Sequence, residues 1–420
     1  MNKTKQRKLD RVKGNVLIVG VDASKSKHDA AVRLPDGVVL KTFSFNNDLT
    51  GFEKLAQEVL RCCERYDLRS AILGIEPTGH YWEALAYWWE EQSGTVVLVN
   101  PMHTKRAKEL EDNSPLKNDK KDGIVVADLV SQGKYFECHL PRGVFAELRN
   151  LVFERDRCQN QRTQVINQLH QSVDRLFPEI AAEFSGIRVK TYQRLLRKYP
   201  EPKELAAVPV GKLTKMLRKW SRGSLGEEKA QRLIALAGRS VGVKEAASII
   251  AAEVKRLIAL LEWIESDSSK LKAQIEQCLV RTPGAAMLLS VPSFGPITVA
   301  GILANTGNLA EYEHPEEALK LAGLNLFEIS SGKHRGRLRI SKRGRAQLRK
   351  ILFMAALRAA RRDSLFRQYY QRLLDRGVEK TVALVALMRK LLRISWSLVR
   401  NSQMFDPQRL NATQAQKQAA

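Results

Sequence analysis

The chain has 420 residues, enough for roughly two to three domains, and 44% of them are hydrophobic, so sizeable cores can form. Lys and Arg number 70 against 45 Asp and Glu, a formal charge of +25. An excess this large points to a polyanionic partner, nucleic acid before membrane. No apolar run approaches the ~20 residues of a membrane span, and the basic start MNKTKQRKLDRVKG lacks the apolar core of a signal peptide. Five scattered cysteines (Cys62, Cys63, Cys138, Cys158, Cys278) show neither zinc-ligand spacing nor a disulfide framework, as expected of a reduced, cytoplasmic chain.

Residues 1–13 read as a basic, disordered arm. Val16 to Val21 is an apolar run ending in Asp22, a buried-strand pattern, and the alternation of Ala30, Val32 and Leu34 reads as its hairpin partner. The tripeptide Pro35-Asp36-Gly37 turns the chain into a third strand, Val38 to Phe45. An amphipathic helix follows from Leu49 to Tyr66, then a second apolar run, Ala71 to Glu76, then a helix in GHYWEALAYWWEE and a short strand in TVVLVN. The order β-β-β-α-β-α-β-α, a meander followed by crossover units, is that of an RNase H-like domain over 14–140. Asp22 and Glu76 then end two strands, where a carboxylate is costly to bury unless paired or metal-bound; the plain alternative for Asp22 is a turn cap. Asp119 and Asp122, three apart at the start of a helix with Val125, Val126, Leu129 and Val130 on its apolar face, share one helical face. Taken alone, such a pair reads first as capping and dipole compensation. Asp128 falls on a different part of that helix.

From Arg142 the pattern becomes helical, and 141–282 is expected to be a helical, coiled-coil linker domain. One helix, 143–177, has an apolar stripe interrupted by the polar stretch RDRCQNQRTQ. In a second, Ile250, Val254, Leu257, Leu261, Ile264, Leu271, Ile275 and Cys278 form a heptad seam whose one polar member is Ser268, suited to a dimer contact or to a bundle core. Between them, 178–242 reads as shorter helices, with basic stretches suited to a phosphate backbone. LLSVPSFGPITVAGILANTG, from Leu288 to Gly307, reads as a helix-hairpin-helix with Ser293 where Gly is usual. From Ser331 to Lys350 there are nine Lys or Arg and no acid. A solvated face normally carries both signs, so this run is more than surface. Ser330 and Ser331 head it, and a serine among arginines can attack a phosphodiester or simply bind phosphate. Helices from Leu365 to Val399 close a domain over 283–403, and 404–420 reads as a polar tail.

GVDASK, EPTGHYW and KNDKKD, in that order, resemble the DEDD domain of one bacterial insertion-sequence transposase family, the "one-ten" family. SVPSFGPITVAGILANTGNLAEYEHPEEALKLAGL, then SSG and ISKRG-x-x-x-LRK, is similar to that family's C-terminal transposase domain. Asn118 stands where Thr or Ser is usual, and Gly123 where Ala is. The resemblance implies an α+β, multidomain chain: a RuvC-like, RNase H-like N-terminal domain, a coiled-coil middle and a mainly α, serine-bearing C-terminal domain. It places the acidic tetrad on Asp22, Glu76, Asp119 and Asp122, holding Mg²⁺, and the nucleophile on Ser331, directly before Gly. It implies strand exchange through a covalent serine–DNA link, directed by a non-coding bridge RNA pairing with donor and target DNA. Homodimers that become tetramers on DNA follow from the same likeness. Lys333, Arg335, Arg337, Arg339, Lys342, Arg343 and Arg345 are the expected phosphate and RNA contacts. A water-using nuclease or junction resolvase and a non-catalytic nucleic-acid scaffold are the alternatives. An actin-like sugar kinase shares the G-x-D-x-S turn but not the charge.

Overall fold

A computed structural model describes residues 3–111, 119–328, 336, 338–362 and 364–408. By its internal contacts the chain divides into two units, Met1–Leu140 and Pro141–Ala420.

The first unit is built on a mixed six-stranded sheet. Its strands are β1 (Val16–Asp22), β2 (Lys27–Arg33), β3 (Val39–Asn46), β4 (Ser70–Glu76), β5 (Thr95–Leu98) and β6 (Phe136–Glu137), in the spatial order β3-β2-β1-β4-β5-β6. β1, β2 and β3 form the expected antiparallel meander, and β4 and β5 add in parallel to β1. This is the RNase H-like arrangement, and the fold is α+β. β6, two residues pairing antiparallel with β5, is too short to show a period.

Alternation sends β1 side chains to both faces, as a central strand requires. Leu17, Val19 and Val21 enter one core with α2 (Leu49–Arg65) and α3 (Glu83–Glu91). Ile18 enters the other with α5 (Asp119–Ser131). Before these lies α1 (Lys3–Val12), where a disordered arm was expected; Val12 is buried, and the Tyr135 hydroxyl donates to the Lys8 carbonyl at 3.2 Å. Only Leu9 and Val12 are apolar in α1, too few beside five Lys and Arg to read as a core-facing stripe. α4 (Pro101–Glu111) escaped notice for the same reason.

The second unit is helical: α6 (Gly143–Leu176), α7 (Lys190–Lys198), α8 (Pro202–Ala206), α9 (Val210–Ser221), α10 (Glu227–Gly238), α11 (Ala247–Arg281), α12 (Ala285–Leu289), α13 (Pro296–Thr306), α14 (Pro315–Leu321), α15 (Ala346–Arg362), α16 (Ser364–Asp375) and α17 (Lys380–Arg400). A two-stranded sheet, β7 (Leu326–Phe327) with β8 (Arg339–Ile340), interrupts the last part. The heptad seam of α11 is filled from within the chain. α6 lies antiparallel along it, with Cys278 against Val144, Arg281 against Glu147, and Gln159 Nε2 donating to Ser268 Oγ at 2.8 Å. The polar interruption of α6 thus meets the one polar residue of the seam, and Arg162 pairs there with Glu265 at 2.9 Å. The expected dimer contact at 250–278 is corrected accordingly, because Ile250, Val254, Leu257, Leu261 and Ile264 are already buried by their own chain. Periodicity reveals a seam but not its partner.

α7 to α10 pack around one half of this hairpin, and α12 to α17 around the other. The corner between α12 and α13 holds Ser293 at φ 72°, the left-handed region that glycine occupies without strain. At the far end Phe405 docks, its N–H donating to Ser290 Oγ at 2.8 Å and its ring 5.8 Å from that of Phe366.

Candidate active site

Two in-register glycines set the geometry of the acidic sheet end. Gly20 of β1 pairs with Gly74 of β4, and two residues on, Asp22 pairs with Glu76. Residues two apart on a strand share a face, and in-register neighbours on parallel strands do too. All four therefore look toward α5. A Cβ at Gly20 would sit 2.1 Å from the Gly123 carbonyl oxygen and 2.4 Å from the Ala127 nitrogen, backbone atoms that cannot swing aside. Bare backbone at Gly20 and Gly123 lets the start of α5 lie directly on β1. This close approach brings Asp122 beside the two strand-end carboxylates.

Electrostatics report that proximity. Burial raises the Glu76 carboxyl above the ordinary glutamate range; the charges of Asp22 and Asp122 raise it further, while a hydrogen bond from Thr104 and the charge of Lys108 oppose the shift. Lys108, on α4, pairs with Asp122 at 2.6 Å, so a cation already stands among the acids. Among the described residues no three His, Cys, Asp or Glu converge closely enough to hold a metal ion. Asp119 opens α5 on the same helical face as Asp122, but its side chain lies outside the described residues. The donor chemistry nonetheless suits Mg²⁺: carboxylate oxygens at the ends of adjacent strands, near enough for their charges to act on Glu76, are hard ligands whose repulsion a divalent ion would relieve.

Three neighbours escaped the sequence reading. Asp29 pairs in register with Asp22 from the other side and accepts a hydrogen bond from Ser44. Only the hairpin register places it there. Lys108 and Thr104 sit on the weakly amphipathic α4, which offers no pattern to find. Asp128 behaves as expected, pairing away from the cluster with Arg33.

The cationic segment divides in two. Ser330, Ser331, Lys333, Arg335 and Arg337 lie outside the described residues. Arg339, Lys342 and Arg343 are exposed at and after β8. Backbone pairing ties this strip down: Ser341 N–H donates to the Asn325 carbonyl at 3.0 Å, Lys342 N–H to Gly323 at 3.0 Å, and Arg345 N–H to Leu321 at 2.8 Å. Gly344 presses on the Gly323 backbone, where a Cβ would come within 2.5 Å of its nitrogen. Arg345 turns inward instead of outward: its guanidinium donates to the Asn305 carbonyl near the C-terminus of α13, and burial beside Arg149 lowers its pKa to about 10. Arg345 thus caps a helix end, as does Arg349, which donates to the carbonyls of Ala322 at 3.1 Å and Gly344 at 3.0 Å.

Comparison with known proteins agrees with this layout. Residues 19–178 match a DEDD-type family model of IS110 elements, described as "Transposase", and residues 285–371 match one described as "Transposase IS116/IS110/IS902 family". An uncharacterised 44.8 kDa protein of insertion element IS116 from Streptomyces clavuligerus is 26% identical over 394 residues, covering 93% of this chain and 96% of its own. The pilin gene-inverting protein of Moraxella bovis is 23% identical over 395 residues, covering 92% and 97%. A solved structure of T. thermophilus RuvC in complex with a Holliday junction substrate aligns with 29% of this chain and 99% of its own, at 11% identity and a TM-score of 0.21. Among the described residues no helix is long and apolar enough to cross a membrane. With both ends matched by models of one family and relatives aligned along nearly the whole length, the chain belongs to the IS110-type family of insertion-element transposases.

Proposed function

We propose that this transposase cuts and exchanges DNA strands through a covalent serine–DNA intermediate, with Asp22, Glu76, Asp119 and Asp122 as its Mg²⁺-binding acids and Ser331 as its nucleophile. The observation that carries the reading is the register pairing of Asp22 with Glu76 on the face covered by the start of α5. Opposite faces would have ruled out a shared ion. When bound by the four carboxylates, Mg²⁺ supplies positive charge against the scissile phosphate.

The chain's own groups do the rest. The Ser331 hydroxyl oxygen attacks phosphorus; a serine O–P bond forms as the P–O3′ bond breaks, and the serine proton ends on the departing 3′-hydroxyl. Phosphodiester energy is kept in the serine ester, so the reverse attack by another strand's 3′-hydroxyl completes exchange without ATP. Arg339, Lys342 and Arg343, with Lys333, Arg335 and Arg337, supply charge for the phosphate and for a guide RNA. Ser331 falls inside the segment matched by the C-terminal family model. The name of the gene-inverting relative supports DNA rearrangement as the outcome. Donor and target DNA, a bridge RNA and a homodimer assembling into a tetramer are the proposed partners.

The test is a suicide substrate analysed on a denaturing gel. Wild type and Ser330→Ala should give a protein–DNA adduct; Ser331→Ala should give none while still binding DNA. An adduct surviving in Ser331→Ala but lost in Ser330→Ala moves the nucleophile by one residue. Free 5′-phosphates without any adduct would identify a water-using nuclease.

A further inference from the structure

α9 carries charge that neither the fold nor the proposed chemistry uses. Its inner positions Leu213, Thr214 and Leu217 are buried, and Met216 and Trp220 are half-buried. Its outer positions Lys212, Lys215, Arg218 and Lys219, with Arg222 at the C-cap, are all exposed, and no acid occurs from Leu205 to Gly226. Steps of three, four and three place Lys212, Lys215, Lys219 and Arg222 in one stripe, successive charges about one turn, ~5 Å, apart along ~15 Å.

Several neighbouring cations are paired with carboxylates. Arg197 on α7 pairs with Glu262 at 2.6 Å, Lys190 pairs with Glu265, and Lys229 on α10 pairs with Glu183 at 2.7 Å. Among the described residues none of the five α9 cations has a carboxylate within ion-pair distance. Like charges one turn apart repel, and Lys212 also opposes the positive end of the helix dipole. Arg218 and Lys219 in the last turn suit the negative end of that dipole, so the cost falls on the N-terminal half of the stripe.

We infer that the α9 stripe, made of residues the candidate active site does not use, is a docking surface for the phosphate backbone of double-stranded nucleic acid. Regularly spaced point charges match a regularly spaced polyanion. A membrane surface would call for exposed apolar side chains on the same face, and single strands for exposed aromatic rings; α9 offers neither. The inference does not depend on the catalytic reading, so its test omits divalent ions.

The full chain in EDTA is titrated into short mixed-sequence duplexes of DNA and of RNA, by fluorescence anisotropy across a salt series. Lys212→Gln, Lys215→Gln and Lys219→Gln combined should weaken binding to at least one duplex about tenfold or more. The salt slope should flatten by roughly two to three, near 0.9 per lost phosphate contact. The control, Lys190→Gln with Arg197→Gln, removes two paired cations and should change affinity less than about twofold. Unchanged thermal melting shows that the triple variant folds. Loss on one duplex alone identifies that nucleic acid; loss on both assigns the shared backbone. Affinity and slope equal to wild type, an equal loss in the control, no duplex binding by wild type, or loss confined to anionic vesicles would each overturn the inference.

Discussion

The acidic sheet end of the first unit and the basic strip after β7 in the second place like charges together by different means. At Asp22, Glu76 and Asp122 a rigid backbone contact, Gly20 on Gly123, holds carboxylates together, and burial first, then the charges of Asp22 and Asp122, raise Glu76. Along Arg339 to Arg349 the cations are parted: Arg345 and Arg349 turn inward onto helix-end carbonyls, and Arg339, Lys342 and Arg343 face solvent. Charges divided in that way find carbonyl partners or solvent, and the cost that remains is the burial of Arg345 beside Arg149. Charges kept together by packing are a standing cost, and residues that raise such a cost cluster at functional sites.

That contrast can be broken first at Gly20. Gly20→Ala forces a Cβ into the Gly123 carbonyl, so α5 must shift or the sheet bend. Overpacking of this kind costs about 1–3 kcal/mol, several degrees in Tm for a domain of this size, read by calorimetry. The same variant should lose strand cleavage, because Asp122 moves with α5. Gly344→Ala, pressing on Gly323, should destabilise similarly without altering metal affinity.

A smaller effect sharpens the acidic side. The folded Glu76 carboxyl titrates above its unfolded value, so the native state binds the extra proton between the two. Stability is thereby lost as pH rises through that window. Glu76→Gln removes the cost: in EDTA it should raise Tm by up to a few degrees at neutral pH, and the gain should fade on acidification below the ordinary glutamate range. A constant gain at every pH would mean that charge is not the cause.

The smallest expected change is in the second unit. Ser293 holds a left-handed backbone at the α12–α13 corner, so Ser293→Gly should stabilise by roughly 0.5–1 kcal/mol in chemical denaturation, with an unchanged m value.

How much of this was legible depended on how periodic each element is. β1 to β5 announced themselves by apolar runs and alternation, and strand-end carboxylates by standing at their ends. α4 has no stripe, so Lys108 and Thr104 stayed hidden, although they flank Glu76 and Asp122. The α11 seam was plain, but that α6 fills it is a tertiary fact, visible only once Gln159 meets Ser268. Arg345 and Arg349 sit among nine cations of one run, and nothing local marks them as ones that turn inward.

The central claim is that Asp22 and Glu76 share a divalent ion with the acids of α5, in competition with Lys108. Mn²⁺ titration followed by electron paramagnetic resonance tests it on the full chain. Wild type should bind, Asp22→Asn should lose that binding, and Lys108→Gln should tighten it several-fold by removing the resident cation. Binding that is indifferent to Asp22→Asn would contradict the account.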